Sequence, residues 1–145
     1  MNRHAHGQLS RRVALCGAVA AVLGACAQGK IAHTVAFEVA DEGRAGLTEA
    51  MREFAAREVF KLTVDEYGMN RFFLLTRADI DISFGPVDSE PAHEGEIPPH
   101  VSPVRYEAAF YIHTPNGLAP QMDALVAAFN IAISSVHGVR KTPPQ

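Results

Sequence analysis

Regular alternation of apolar and polar side chains begins between residues 31 and 40. A period of two along the chain is typical of a β-strand with one buried face, and it predicts a strand here. The side predicted to be buried carries Ile31, His33, Val35, Phe37 and Val39, and the other side carries Ala32, Thr34, Ala36, Glu38 and Ala40. The following Asp41-Glu42-Gly43-Arg44 predicts a turn.

From Ala45 to about Leu62 the spacing of apolar residues changes to three and four, which predicts an amphipathic helix. The apolar face of this helix consists of Leu47, Met51, Phe54, Ala55, Val59 and Leu62. Glycine and polar residues follow at 67–70 and predict the loop that leaves the helix.

The longest run of alternation covers residues 72–84 and predicts one long strand that Gly85-Pro86 ends. One side of it is predicted to be buried throughout: Phe72, Leu74, Thr76, Ala78, Ile80, Ile82 and Phe84. The other side begins with Phe73 and Leu75 and continues with Arg77, Asp79, Asp81 and Ser83. On this interpretation Asp79 and Asp81 project from the same face, about 6.5–7 Å apart along the strand.

Residues 87–103 contain four prolines and four acids, which predicts a long loop without regular structure. Alternation returns at Val104–His113 and predicts another strand, with Tyr106, Ala108, Phe110 and Ile112 on one side. A final helix is predicted over 120–136, because Pro120 suits a first helical turn and Gly138 suits a helix end.

The predicted order is β-α-β-β-α, which favours an α+β two-layer sandwich with both helices on one face of a three-stranded sheet. This order resembles a ferredoxin-like split βαβ unit that lacks its final strand. The resemblance implies that the third strand lies between the first and the second, antiparallel to both. A plain meander is the alternative, and Val139-Arg140 is too short to predict a further strand.

The first 26 residues have the layout of an export signal. Three arginines and no acid precede thirteen uncharged residues, 13–25, and a cysteine follows. Leu23-Gly24-Ala25-Cys26 resembles the lipobox of bacterial lipoproteins. The resemblance implies that Cys26 receives a diacylglyceryl thioether, that cleavage follows Ala25, and that the new amino terminus is acylated with a fatty acid such as palmitate. The alternatives are an ordinary cleaved signal or a buried helix of a cytosolic protein.

The predicted organisation is therefore a signal peptide (1–25), a lipidated tether (26–30), one α+β domain (31–140) and a flexible tail (141–145). Ala27, which is not aspartate, implies sorting to the outer membrane, so we expect a lipid-anchored envelope protein facing the periplasm or the cell surface. Three of the 13 basic residues leave with the signal and all 16 acidic residues stay, giving the mature chain a formal charge of -6. This charge disfavours nucleic acid as a partner.

The chemistry-bearing residues form no recognised catalytic motif, since the chain has no GxSxG, phosphate-binding glycine loop or dinucleotide fingerprint. Both cysteines, Cys16 and Cys26, lie in the signal segment, and no histidine pair has helical zinc-site spacing. Asp79 with Asp81 is a candidate carboxylate pair, and His33 with His113 a candidate histidine pair. The loop acids Asp88, Glu90, Glu94 and Glu96 with His93 lack calcium-loop spacing. We expect no metal and no cofactor.

A binding domain is the function that this sequence favours. The sheet face away from the helices is predicted to carry Phe73, Leu75, Ala109 and Tyr111 among polar residues, which suggests a contact surface for an envelope protein or for self-association. The alternative is that the proline-rich loop at 87–103 folds back over these residues. The candidate binding residues are Phe73, Tyr111, Asp79, Asp81 and His113. The alternatives are a small hydrolase or metal-dependent enzyme using Asp79, Asp81 or His113, and a structural or surface-exposed, antigen-like domain without a dedicated ligand.

Overall fold

More residues lie in strands than in helices in the part of the chain that the computed structural model describes, which is residues 29–87, 101–113 and 119–143. Within these ranges the strands are β1 (Lys30–Val39), β2 (Lys61–Tyr67), β3 (Asn70–Thr76), β4 (Ile80–Pro86), β5 (Val104–Ile112) and β6 (Val139–Thr142). The helices are α1 (Arg44–Arg57), preceded by a 3₁₀ turn at Asp41–Gly43, and α2 (Ala119–Ser134).

The strands form one six-stranded antiparallel sheet in the order β2-β3-β4-β5-β1-β6. Consecutive strands β2 to β5 pair as neighbours, and β1 lies between β5 and β6. The prediction of a three-stranded, ferredoxin-like half is therefore wrong, because the sheet has twice that number of strands in the described ranges.

The prediction did not include β2, because it placed the end of the first helix too late in the chain. The helix ends at Arg57 rather than near Leu62, and β2 begins at Lys61. Val59 adopts a left-handed backbone conformation, with φ of 61°, and the Phe60 N–H donates to the Ala55 carbonyl oxygen at 2.8 Å. Val59 and Leu62 continue the helical spacing of apolar residues although they lie beyond the helix. The helix end was not recognised from the sequence because Val59 occupies a left-handed position that is usually glycine.

The prediction also counted one strand too few over 72–84, because this segment is a hairpin of β3 and β4. The chain turns through Arg77, Ala78 and Asp79, and the Arg77 N–H donates to the Ile80 carbonyl oxygen at 3.1 Å. Residues paired across an antiparallel ladder share a face. Since Phe73 is opposite Phe84, the odd-numbered side chains of β3 share a face with the even-numbered ones of β4.

The sixth strand, β6, is four residues long and pairs with β1, as in Val39 opposite Val139. So short a segment could not be predicted, because four residues do not show whether apolar and polar residues alternate as in a strand. The pairing with β1, which lies a hundred residues earlier in the chain, stabilises β6.

Phe129 of α2 lies at the centre of the core between the helices and the sheet. Its ring is 5.3 Å from the ring centroids of Phe54 and Phe110, 5.4 Å from that of Phe84 and 6.2 Å from that of Phe37. Three of these partners come from three strands, so the helices pack on the sheet face that carries them. Each such pair contributes about 0.5–1.5 kcal/mol beyond the burial of its area.

The two ends of the sheet differ in their chemistry, and we call lower the end at which β1 begins. At the upper end Arg44 is buried and donates to the Asp41 carboxylate, the Asn70 side-chain oxygen and the Val101 carbonyl, each at 3.1 Å. These contacts join the start of α1 to the β2–β3 turn and to the segment before β5.

Candidate functional site

The sheet face opposite the helix-packed rings, here the open face, has large side chains at its sides and small ones in the middle. Across β3, β4 and β5, Leu74 lies beside Ser83 and Ser83 beside Ala109. The next rows along the strands are Thr76-Asp81-Tyr111 and, in the other direction, Gly85-Glu107 with the ring of Phe72 above Gly85. We call the part of the open face around Ser83 and Ala109, where the side chains are small, the trough.

Gly85 permits the close approach of Phe72 to the sheet. A Cβ atom at position 85 would lie 2.6 Å from Cδ1 of the Phe72 ring, which is closer than side chains tolerate. The ring therefore lies against β4 and forms one side of the trough, yet Phe72 stays 37% exposed. Leu74 and Tyr111, which continue the walls of the trough, are half-buried.

A close contact between an aspartate and a histidine lies at the lower end of the open face. His113 Nε2 is 2.7 Å from Asp81 Oδ2, and the Asp81 side chain is only 12% exposed against 26% for His113. The backbone N–H of His113 also donates to the Asp79 carbonyl oxygen at 3.0 Å, which fixes the end of β5 against the hairpin. The structure thus brings Asp81, Tyr111 and His113 of the sequence-predicted residues together.

Asp79 does not belong to this group, because it lies in the β3–β4 turn. Its carboxylate accepts hydrogen bonds from Arg77 Nε at 2.7 Å and Nη2 at 3.3 Å. Arg77 in turn donates to the Glu58 carbonyl at 2.8 Å and lies 4.5 Å above the Phe60 ring. The hydrogen bond from Arg77 lowers the pKa of Asp79 below its usual value of 3.8, and burial opposes this shift. The expected pair of carboxylates on one strand face is replaced by an Asp–Arg pair and an Asp–His pair.

Phe73 and Leu75 do not lie on the open face, where the sequence analysis predicted them. Both are buried in the core, and Phe73 stacks on Phe84 with ring centroids 5.8 Å apart. Phe72 and Leu74 take the open-face positions instead. The charged residues Arg77 and Asp79, which lie close together between two apolar runs, are the sequence signal that could have revealed the turn.

Two predicted features lie outside the described residues: the lipidation site Cys26 and the loop acids between 88 and 96. Within the described ranges no group of three or more histidine, cysteine, aspartate or glutamate side chains could hold a metal ion. The helices in those same ranges include none long and apolar enough to cross a membrane.

A depression at the upper end has a volume of about 290 Å³ and is wide open to solvent. It is lined by Glu38, Ala40, Pro103, Gly138, Val139 and Arg140. Its two charged side chains, Glu38 and Arg140, pair with each other, so they do not converge on a ligand position.

Comparison with known proteins gives no relative for this chain. No protein-family model, curated protein or solved structure matches it at a significant level. The geometry described above is therefore the basis for a functional proposal.

Proposed function

We propose that this chain is a lipid-anchored envelope protein whose folded domain binds a protein partner through the open face and does not catalyse a reaction. The observation that carries the binding role is the trough, in which Phe72, Leu74 and Tyr111 lie around Ser83 and Ala109. The lipobox-like Leu23-Gly24-Ala25-Cys26 supports the anchor.

The shape of the trough suits a side chain inserted from a partner. Small residues leave room above the centre of the sheet, and the partly exposed apolar walls lose contact with water when a partner covers them. Burial of such surface contributes roughly 25 cal/mol per Å². Polar groups lie at both ends, with Asp81 and His113 at the lower end and Glu107 toward the upper end. An apolar anchor within a polar rim is the usual arrangement of a protein interface.

The enzyme alternative rests on one specific observation, the Asp81–His113 contact at 2.7 Å. An aspartate that orients a histidine is part of several hydrolytic sites, but those sites also need a nucleophile or metal within reach of the histidine. Ser83 shares the face with Asp81, two residues further along β4. Binding requires no such third group, and it uses the trough as well as this contact.

Site-specific photo-crosslinking in intact cells tests the binding role. A photoreactive residue at Leu74 should give a discrete heavier adduct containing another envelope protein, whereas one at the exposed Glu49 of α1 should not. Ser83→Arg, which fills the trough, should abolish the Leu74 adduct without lowering expression. Equal adducts from both positions, or an adduct insensitive to Ser83→Arg, would contradict the proposal.

Intact-mass measurement of membrane-extracted protein tests the anchor separately. We expect the mass of residues 26–145 plus a diacylglyceryl group and an amide-linked fatty acid. Cys26→Ser should leave the protein unlipidated, and Cys16→Ser is the matched control because that cysteine leaves with the signal. An unmodified Cys26 thiol in wild-type protein would disprove the anchor.

A further inference from the structure

Val59 combines two unusual features at the lower end of the domain. It is a β-branched residue with φ of 61°, a conformation that favours glycine, and its side chain is 77% exposed. The backbone on both sides is fixed, since the N–H groups of Glu58 and Phe60 donate to the carbonyls of Phe54 and Ala55 at 2.9 and 2.8 Å. Backbone strain of this kind concentrates at functional positions. The fold thus holds an apolar side chain in solvent at a position whose backbone conformation glycine would adopt with less strain.

A second exposed apolar side chain, Ile31, marks the other margin of the same end. Ile31 follows the first residue of β1 and is 54% exposed. Lys61 is opposite Thr76, Thr76 opposite Asp81, and Ile80 opposite Ile112, so these residues all lie at the lower end. Four strand spacings separate β1 from β2, which places Ile31 and Val59 roughly 20 Å apart.

Three of the acidic side chains at this end have a basic side chain close by. Glu58 pairs with Arg57 at 3.5 Å, Asp79 with Arg77 at 2.7 Å, and Asp81 with His113 at 2.7 Å. Lys61 adds one exposed cation. These pairs and Lys61 reduce the repulsion between this end of the acidic chain and the anionic headgroups of a bilayer.

The tether limits how far the lower end can lie from the membrane. Ile31 follows Cys26 by five residues, so a fully extended tether spans at most about 17 Å. The ten residues of β1 span about 33 Å along the sheet, which is longer than the tether. Lipid on Cys26 therefore holds the start of β1 within reach of the bilayer, whereas the other end of β1 can lie well beyond that reach.

We propose that the lower end of the sheet is a membrane-contact surface, with Val59 and Ile31 inserted among phospholipid headgroups and Lys61 beside the phosphates. This inference rests on the proposed lipid anchor and adds an orientation to it. The long axis of the strands then stands away from the bilayer, and the open face remains accessible from the side.

Single-cysteine labelling of the lipidated protein tests this orientation. Acylation uses the Cys26 thiol and cleavage removes Cys16, so Val59→Cys and Met69→Cys each carry one reactive thiol. Met69 is 50% exposed in the β2–β3 turn at the upper end and is the matched control. A nitroxide is attached to each, and the protein is reconstituted in phosphatidylcholine vesicles with and without phosphatidylglycerol.

We expect collisions with dissolved oxygen to dominate at position 59 and collisions with a water-soluble nickel chelate to dominate at position 69, by at least fivefold. Val59→Asp should make a label at Ile31→Cys more accessible to nickel, whereas Val59→Gly should change it less. Equal accessibility at 59 and 69, with intact mass showing a lipidated Cys26, would overturn the orientation alone. An unlipidated Cys26 would instead overturn the proposed function.

Discussion

Backbone strain at Val59 has a measurable thermodynamic consequence. A left-handed conformation costs an L-residue about 1–2 kcal/mol, whereas glycine adopts it freely. Because the Val59 side chain is largely exposed, Val59→Gly removes little packing. We expect this variant to raise the free energy of unfolding by about 1 kcal/mol in urea titrations. Val59→Ala keeps the Cβ and should gain much less, and equal effects of the two variants would contradict the strain argument.

The contact between Gly85 and Phe72 gives a prediction at the trough. Gly85→Ala places a methyl group where the Phe72 ring now lies, so the ring must move outward. We expect a loss of about 1 kcal/mol in stability, at the low end for overpacking because the ring can move into solvent. The photo-crosslink at Leu74 should weaken as well. In a Phe72→Ala background Gly85→Ala should cost almost nothing, and an unchanged penalty there would locate the clash elsewhere.

At the scale of elements, the period of the apolar pattern located the middles of strands and helices better than their ends. The predicted strands at 31–40 and 104–113 coincide closely with β1 and β5. The hairpin was missed because alternation continues unbroken across Arg77-Ala78-Asp79, although the chain reverses there. One consequence for the site is that Phe72 and Leu74, rather than Phe73 and Leu75, reach the open face. Neither the Asp81–His113 pair nor the trough could be predicted without this register, since both depend on pairing between strands.

The same hairpin predicts a pH dependence of stability. The folded state lowers the pKa of Asp79, so its carboxylate stabilises the fold above the unfolded value near 3.8, and this contribution is lost as the pH falls through the folded value. The side chain is 35% exposed, which limits the effect to about 1 kcal/mol or less. Asp79→Asn should therefore be less stable than wild type at pH 6, with the difference shrinking below pH 4 in chemical unfolding. Introducing Arg77→Gln in both proteins should remove most of the difference in stability at pH 6. If the difference persisted, the Asp79 carboxylate would be stabilised by a partner other than Arg77.

For the whole molecule, the proposed roles lie on different surfaces. The helices and their aromatic contacts fill one face of the sheet, and the proposed partner site lies on the other face. The lower end carries the exposed side chains of Val59 and Ile31, and the upper end carries the Arg44 network. The sequence predicts an anchor at Cys26 because the lipobox-like motif is local. The division of surfaces could not be predicted, because it depends on contacts between residues far apart in the chain.

Arg44 provides the strongest test of how the upper end is held, since it joins segments 26 and 57 residues away. Hydrogen bonds from a charged donor contribute about 1.5–3 kcal/mol each, and removing the guanidinium leaves Asn70 and the Val101 carbonyl without this donor. Arg44→Met should keep the buried aliphatic stem yet lower the free energy of unfolding by about 2–4 kcal/mol. Arg44→Lys should recover only part of this loss, because one ammonium cannot reach three separate acceptors in the guanidinium geometry. Arg52→Met, at an exposed pair on α1, should change stability by less than about 0.5 kcal/mol.

Hydrogen exchange should show faster opening near Val101 and Asn70 in Arg44→Met, with β1 and β4 still protected. If unfolding and exchange were the same as in wild type, the network would not hold the segment before β5 in place.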